Sequence, residues 1–111
     1  MKLEALKELA AKVEAGSSLG EVAGYCEVLP HDLRDHATRS YNGSLDAAKA
    51  LHDAVLPGWG WQVGHKSCCQ LAGLIGDKYE LIYVELIGDD NSARAWLLAI
   101  LRALIAQEEG K

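Results

Sequence analysis

The sequence lacks an apolar run long enough to cross a bilayer, since a spanning helix needs about 20 consecutive apolar residues. It also lacks the apolar core of a signal peptide. Its first residues, MKLEALKELAAK, mix charged and apolar side chains as an amphipathic helix does. These two absences predict a cytoplasmic protein with no membrane contact.

Basic residues are scarce. The chain has 11 Lys and Arg against 16 Asp and Glu, which gives a formal net charge of −5. A protein that binds nucleic acid directly must neutralise phosphates with Lys and Arg. The composition therefore argues against direct nucleic-acid binding.

Paired metal-ligand motifs are missing. Cys26 is followed at five-residue steps by His31 and His36, but tetrahedral zinc sites show knuckles such as CxxC, and none occurs. The adjacent cysteines Cys68 and Cys69 rarely form a bridge, because the ring is strained. The three cysteines are thus expected to be free thiols in a reducing compartment, with no metal and no cofactor.

Catalytic motifs are also missing: no phosphate-binding loop, HExxH or GxSxG occurs. A cysteine nucleophile could be assembled from Cys68 or Cys69 with His65 or His52. A strand interior offers such a thiol no activating helix N-terminus, however. The sequence predicts a protein that is not an enzyme, and Cys69 with His65 or His52 is the enzymatic alternative.

The stretch Asn42–Val63 reads as a complete structural unit. Ser44 is placed to cap an amphipathic helix, which Pro57 ends. The alternation of Trp59, Trp61 and Val63 with small or polar residues then predicts a half-buried strand facing that helix. We also expect Trp61 and Trp96 to lie in the core, because aromatic side chains spaced to face a helix usually do.

The segments on either side of this unit complete the predicted fold. Before it, the pattern predicts a helix over 2–15 and a second helix capped by Ser18, while 31–41 fits a short helix or a structured loop equally well. After it come a reversal at His65-Lys66, a strand over 67–74, a turn at Gly76-Asp77, a strand over 78–87 and a helix over 92–109 capped by Asp89, Asp90 or Asn91.

Residues 78–87, KYELIYVELI, are apolar at both strand parities, which indicates that both faces of the sheet are covered. The predicted fold is therefore an α+β domain over 1–111. A three-stranded antiparallel sheet has helices on both faces, in an α-β-α sandwich. Residues 1–41 form an N-terminal helical segment, and 42–111 hold a helix, the three-stranded meander and the C-terminal helix.

Two stretches resemble a known family. SLDAAKALHDAVLPGW, from Ser44 to Trp59, and NSARAWLLAILRA, from Asn91 to Ala103, are similar to the recurring patterns of the phage ABA-sandwich domain. The resemblance implies a sheet between helical layers and an origin in a phage or prophage, hence a location in the cytoplasm of the bacterial host. It implies no catalytic activity and no site residues, because the family has no agreed function.

Acidic residues cluster between Asp77 and Asp90. This segment has five acids and one base, Lys78, so it carries a net charge of −4 out of the total −5. One interpretation is a solvated strand that resists aggregation. The sharper hypothesis is an acidic surface that docks on a basic surface of a host protein, as a host-defence (anti-CRISPR-like) inhibitor would. The candidate partner-binding residues are Asp77, Glu80, Glu85, Asp89 and Asp90.

From these features we expect a non-catalytic phage or prophage accessory protein that binds a host or phage macromolecule through surface contacts. The partner is expected to be a protein. An alternative is a structural or assembly module that forms homo-oligomers, such as a homodimer, through the edge Trp59–Val63. The other alternative is the small enzyme described above.

Overall fold

The structure, a computed structural model, describes residues 3–64, 67–88 and 90–110. These residues form five α-helices and one antiparallel sheet with strand order β1-β2-β3. The α+β class and the three-stranded meander are thus confirmed. The elements are α1 (Leu3–Ala15), α2 (Leu19–Tyr25), α3 (Arg34–Tyr41), α4 (Leu45–Val55), β1 (Gly60–Gly64), β2 (Cys68–Ile75), β3 (Lys78–Glu85) and α5 (Ser92–Glu109), with 3-10 turns at Cys26–Val28 and His31–Leu33.

Local sequence signals set the helix ends. The side chains of Ser18, Ser44 and Asn91 each accept a hydrogen bond from a backbone N–H three residues later, which satisfies a donor that the first turn leaves free. Gly16, with φ +72°, ends α1 in the left-handed conformation that glycine adopts without strain. Residues 31–41 take the helical one of the two predicted options.

Helix α5 organises the packing. One side of it contacts all three strands, and it also packs against α1, α3 and α4. It has more buried residues than any other described helix, as its broad apolar face predicts. The buried side chains of the helices and of the α5-facing side of the sheet, such as Leu71 and Val84, form one continuous core.

The sequence predicts helices on both faces of the sheet, but the described helices cover only one face. Among the residues that the structure describes, every helix lies on the α5 side of the sheet. On the opposite side Leu81 is 55% exposed and Tyr79 is 70% exposed. The second apolar parity of β3 therefore faces solvent, and we call this side the outer face.

The tryptophans also differ from expectation. Trp96 is buried, as predicted, but Trp61 is 46% exposed, so its placement in the core was wrong. Trp59 lies just before β1 and is buried instead. Its indole ring occupies the space that a side chain at Gly73 would fill. Gly73 belongs to β2, the strand that pairs with β1, so the glycine in β2 makes room for the tryptophan.

Within the described part of the chain, no helix combines the length and the apolarity that crossing a membrane requires.

Candidate functional site: the outer face of the sheet

The outer face is a contiguous, exposed and largely apolar surface. Strand pairing places Tyr79 beside Leu74, while Leu81 and Tyr83 follow on the same side of β3. Their exposed fractions lie between 55% and 70%. With about 200 Å² for a side chain of this size, the four present roughly 500 Å². Apolar patches of this extent on a monomer commonly mark interaction sites.

Pairing across the three strands arranges the outer face in rows. One row runs from Gly60 through Ala72 to Leu81, because Gly60 pairs with Ala72 and Ala72 with Leu81. The next two rows have the same order, with β1 first and β3 last, and are Gln62, Gln70 and Tyr83, then Gly64, Cys68 and Glu85.

The rows give the outer face an uneven relief. On β1 two of the three outward positions are Gly60 and Gly64, so that strand is low on either side of Gln62. On β3 they are mostly bulky side chains, Tyr79 and Leu81 among them, so that strand forms a ridge. Beside the ridge lies a groove of about 640 Å³, lined by Pro57, Gly58, Trp59, Gly60, Ala72, Gly73, Leu74 and Tyr79.

One end of the outer face carries a small polar cluster. The Tyr83 hydroxyl donates to Cys68 Sγ at 3.6 Å, and the Cys68 thiol donates to Glu85 Oε1 at 3.4 Å. The hydrogen bond with Cys68 and the negative charge of Glu85 raise the pKa of Tyr83. The phenol is therefore neutral at physiological pH and can act as a hydrogen-bond donor.

The predicted acidic residues do not meet in one patch. Asp77 and Glu80 line a cleft at the β2–β3 turn, together with Glu109 near the end of α5. Glu85 lies on the outer face at the far end of β3, about 24 Å from the turn at the usual strand rise. Asp90 is exposed in the loop before α5. Asp89 lies outside the described residues.

His52 is a core residue with both ring nitrogens engaged. The Trp96 Nε1–H donates to His52 Nδ1 at 3.3 Å, so Nε2 carries the proton. That Nε2–H donates to the Trp59 carbonyl oxygen at 3.0 Å. With both nitrogens so used and only 1% of the residue exposed, the ring has no free nitrogen to serve as a general base.

Of the two thiols proposed as nucleophiles, Cys69 is buried and Cys68 is partly exposed. Burial raises the pKa of Cys69 to about 12 and that of Cys26 to about 11, where the charge of Arg34 partly offsets the rise. Both are protonated thiols at neutral pH, whereas cysteine nucleophiles act as thiolates. His65, the other proposed base, lies outside the described residues.

Metal-ligating side chains are dispersed. In residues 3–64, 67–88 and 90–110, no three His, Cys, Asp or Glu side chains lie close enough together to hold a metal ion. Cys26 is buried in the core and His31 is exposed. His36 is half-buried, and its Nδ1 has no hydrogen-bond partner within those ranges.

Sequence reasoning did not single out Leu74 and Tyr79, which are the most exposed of the four apolar side chains on the outer face. A signal was available, since KYELIYVELI is apolar at both parities. That pattern says that a second apolar face exists, but it does not say whether the same chain covers it.

Comparison of the chain with family models, with curated proteins and with solved structures finds no match. The resemblance of Ser44–Trp59 and Asn91–Ala103 to the phage ABA-sandwich domain therefore stays a prediction.

Proposed function

We propose that this chain is a non-catalytic binding protein that holds a protein partner on the outer face of its sheet. The observation that carries the proposal is the run of exposed side chains Leu74, Tyr79, Leu81 and Tyr83 on that face. Isolated exposed apolar residues are common, but a contiguous patch is costly to leave in water unless something uses it.

The geometry of two of the four candidate groups supports a non-catalytic role. Cys69 and His52 are both buried, one as a protonated thiol and the other with both nitrogens bonded. Cys68 is partly exposed, and its described partners include Tyr83 and Glu85. The cleft at the β2–β3 turn and the groove beside the ridge are both open to solvent. A binding function requires neither an activated nucleophile nor a closed pocket.

The biological setting rests on the sequence resemblance alone. If the resemblance reflects descent, the protein acts in the cytoplasm of a bacterial host as a phage or prophage accessory protein. Inhibition of a host defence system, in the manner of an anti-CRISPR protein, is one form that such binding takes.

A second candidate is docking on a basic protein surface. Asp77, Glu80 and Glu109 line one cleft of about 520 Å³ together with the single base Lys78, and this net negative charge supports an acidic contact at that end of the sheet. Glu85 and Asp90 are too far away to join it. Reversing the charges of Asp77 and Glu80 should weaken that contact, whereas the same change at Glu85 and Asp90 should not.

A capture experiment tests the main proposal. Wild-type protein, Leu81→Arg and the control Leu19→Arg are immobilised, and proteins retained from a bacterial lysate are identified by mass spectrometry. Leu19 is 43% exposed on the helical side, so it receives the same change at a comparable exposure. We expect partners held by the wild type and by Leu19→Arg to be lost with Leu81→Arg. Equal retention by all three proteins, together with a wild type that does not self-associate, would contradict the proposal.

A further inference from the structure

We propose that the outer face binds a second copy of this chain. The two sheets stack face to face about a two-fold axis that runs parallel to the strands above β2. In this arrangement β3 of each copy lies over β1 of the other. The inference rests on the proposed function, because it names the partner of the same surface.

Shape supports this partner. The two-fold axis places each row of one copy over the same row of the other copy, with the order of the strands reversed, so that β3 faces β1. Leu81 then lies over the second copy's Gly60, and Tyr83 lies over its Gln62. Leu81 on the ridge of β3 therefore enters the groove at Gly60, a large side chain over a small one, while Tyr83 packs against the longer Gln62. A β3-on-β3 stack would instead set ridge against ridge.

Charge supports it as well. Among the described positions of the three rows and the Leu74–Tyr79 pair, Glu85 carries the only formal charge. A nucleic acid or a highly charged protein would find little to pair with on this face. The same axis places Glu85 over the second copy's Gly64, so that the two Glu85 carboxylates lie at opposite edges of the stack.

The area is also adequate. Two outer faces contribute roughly 1,000 Å² from Leu74, Tyr79, Leu81 and Tyr83 alone, and the remaining row residues add a rim, so the total reaches the lower part of the range for specific interfaces. Two packed sheets lie about 10 Å apart with strands nearly aligned, and this is the geometry of a β-sandwich. The second copy thus covers the apolar parity of β3 that the helices leave exposed.

A double-mutant cycle in sedimentation equilibrium tests this arrangement. Gly60→Leu fills the groove and Leu81→Ala lowers the ridge. A Cβ added at Gly60 meets only the Ala72 carbonyl oxygen, at 3.8 Å, so the fold tolerates it. Within one chain β2 separates the two positions, which places them about 10 Å apart and leaves them nearly independent. Coupling between them must therefore arise between copies.

We expect the wild type to reach twice the 12.0 kDa chain mass, about 24 kDa, at high concentration. Each single variant should raise the dimer dissociation constant about tenfold. The dissociation constant of the double variant should stay within about tenfold of the wild-type value. Independent effects would instead raise it roughly a hundredfold. Urea unfolding of each variant checks that the monomer fold is intact.

Two results would overturn the inference: a 12.0 kDa species at all concentrations, or a dimer whose dissociation constants show no coupling between the two positions. If the wild type stays monomeric while Leu81→Arg still loses a different partner in the capture experiment, the inference fails and the proposed function stands. If capture is also unchanged by Leu81→Arg, both fail.

Discussion

The indole ring of Trp59 packs against the backbone of Gly73, where a Cβ would lie 2.1 Å from the ring carbon Cδ2. Trp59 precedes β1 and Gly73 belongs to β2, so this contact closes the α5-facing side of the sheet at the end where the chain enters it. The tryptophan is buried only because its neighbour has no side chain.

Gly73→Ala should therefore destabilise the fold by about 3 kcal/mol, since the added methyl group displaces a buried indole ring. Gly60→Ala is the matched control, because its Cβ meets nothing closer than 3.8 Å. The control should change stability by less than about 1 kcal/mol. Urea unfolding measures both, and equal effects would contradict the packing described for Trp59.

His52→Ala should lower the free energy of unfolding by about 3 kcal/mol. The substitution leaves the Trp96 Nε1–H and the Trp59 carbonyl oxygen buried without their hydrogen-bond partner. The exposed His31 provides the control, and His31→Ala should fall within about 0.5 kcal/mol of the wild type. The same urea experiment compares them. A small loss at His52 would show that water replaces the imidazole.

Alkylation with iodoacetamide near neutral pH should modify one thiol per folded chain, that of Cys68. Cys68 is partly exposed, whereas Cys26 and Cys69 are 1% exposed and have pKa values raised to about 11 and about 12. Intact-mass measurement counts the adducts, and three are expected after unfolding in urea. Rapid modification of Cys69 in the folded chain would revive the enzymatic alternative.

Stability should fall as the pH rises from about 9 to about 12. Burial raises the pKa of Cys69 from 9.0 to about 12, so within this window the folded chain keeps a proton that the unfolded chain has lost. Unfolding then releases protons, and the free energy of unfolding decreases with pH. Thermal midpoints should fall less steeply for Cys69→Val than for the wild type. If the thermal midpoints of both proteins fall equally steeply with pH, Cys69 does not contribute to the loss of stability.

The helix boundaries follow from local chemistry, and the sequence predicts them well. Ser18, Ser44 and Asn91 cap helices because a side-chain oxygen reaches a backbone N–H within one turn, and this depends on neighbours only a few residues away. The antiparallel meander follows in the same way from the turn at Gly76 and from the aromatic and branched residues of β3.

The errors concern contacts between distant residues. The space for Trp59 is created by Gly73, 14 positions later, so no pattern around Trp59 reveals it. Of the acids that look clustered in the sequence, Asp77 lies in the turn before β3 and Glu85 at the other end of that eight-residue strand, too far apart to form one patch. The apolar outer parity of β3 led to an expected second helical layer, although the composition of a strand does not identify what covers it.

The central claim is that the outer face of the sheet is the binding surface, and hydroxyl-radical footprinting tests it most directly. Tyr79, Leu81 and Tyr83 should oxidise readily in dilute protein. In the concentrated protein, or in a captured complex, they should become protected, while Tyr25 on the helical side should keep its rate. Unchanged oxidation at these three residues, with protection appearing on the helices, would contradict the account.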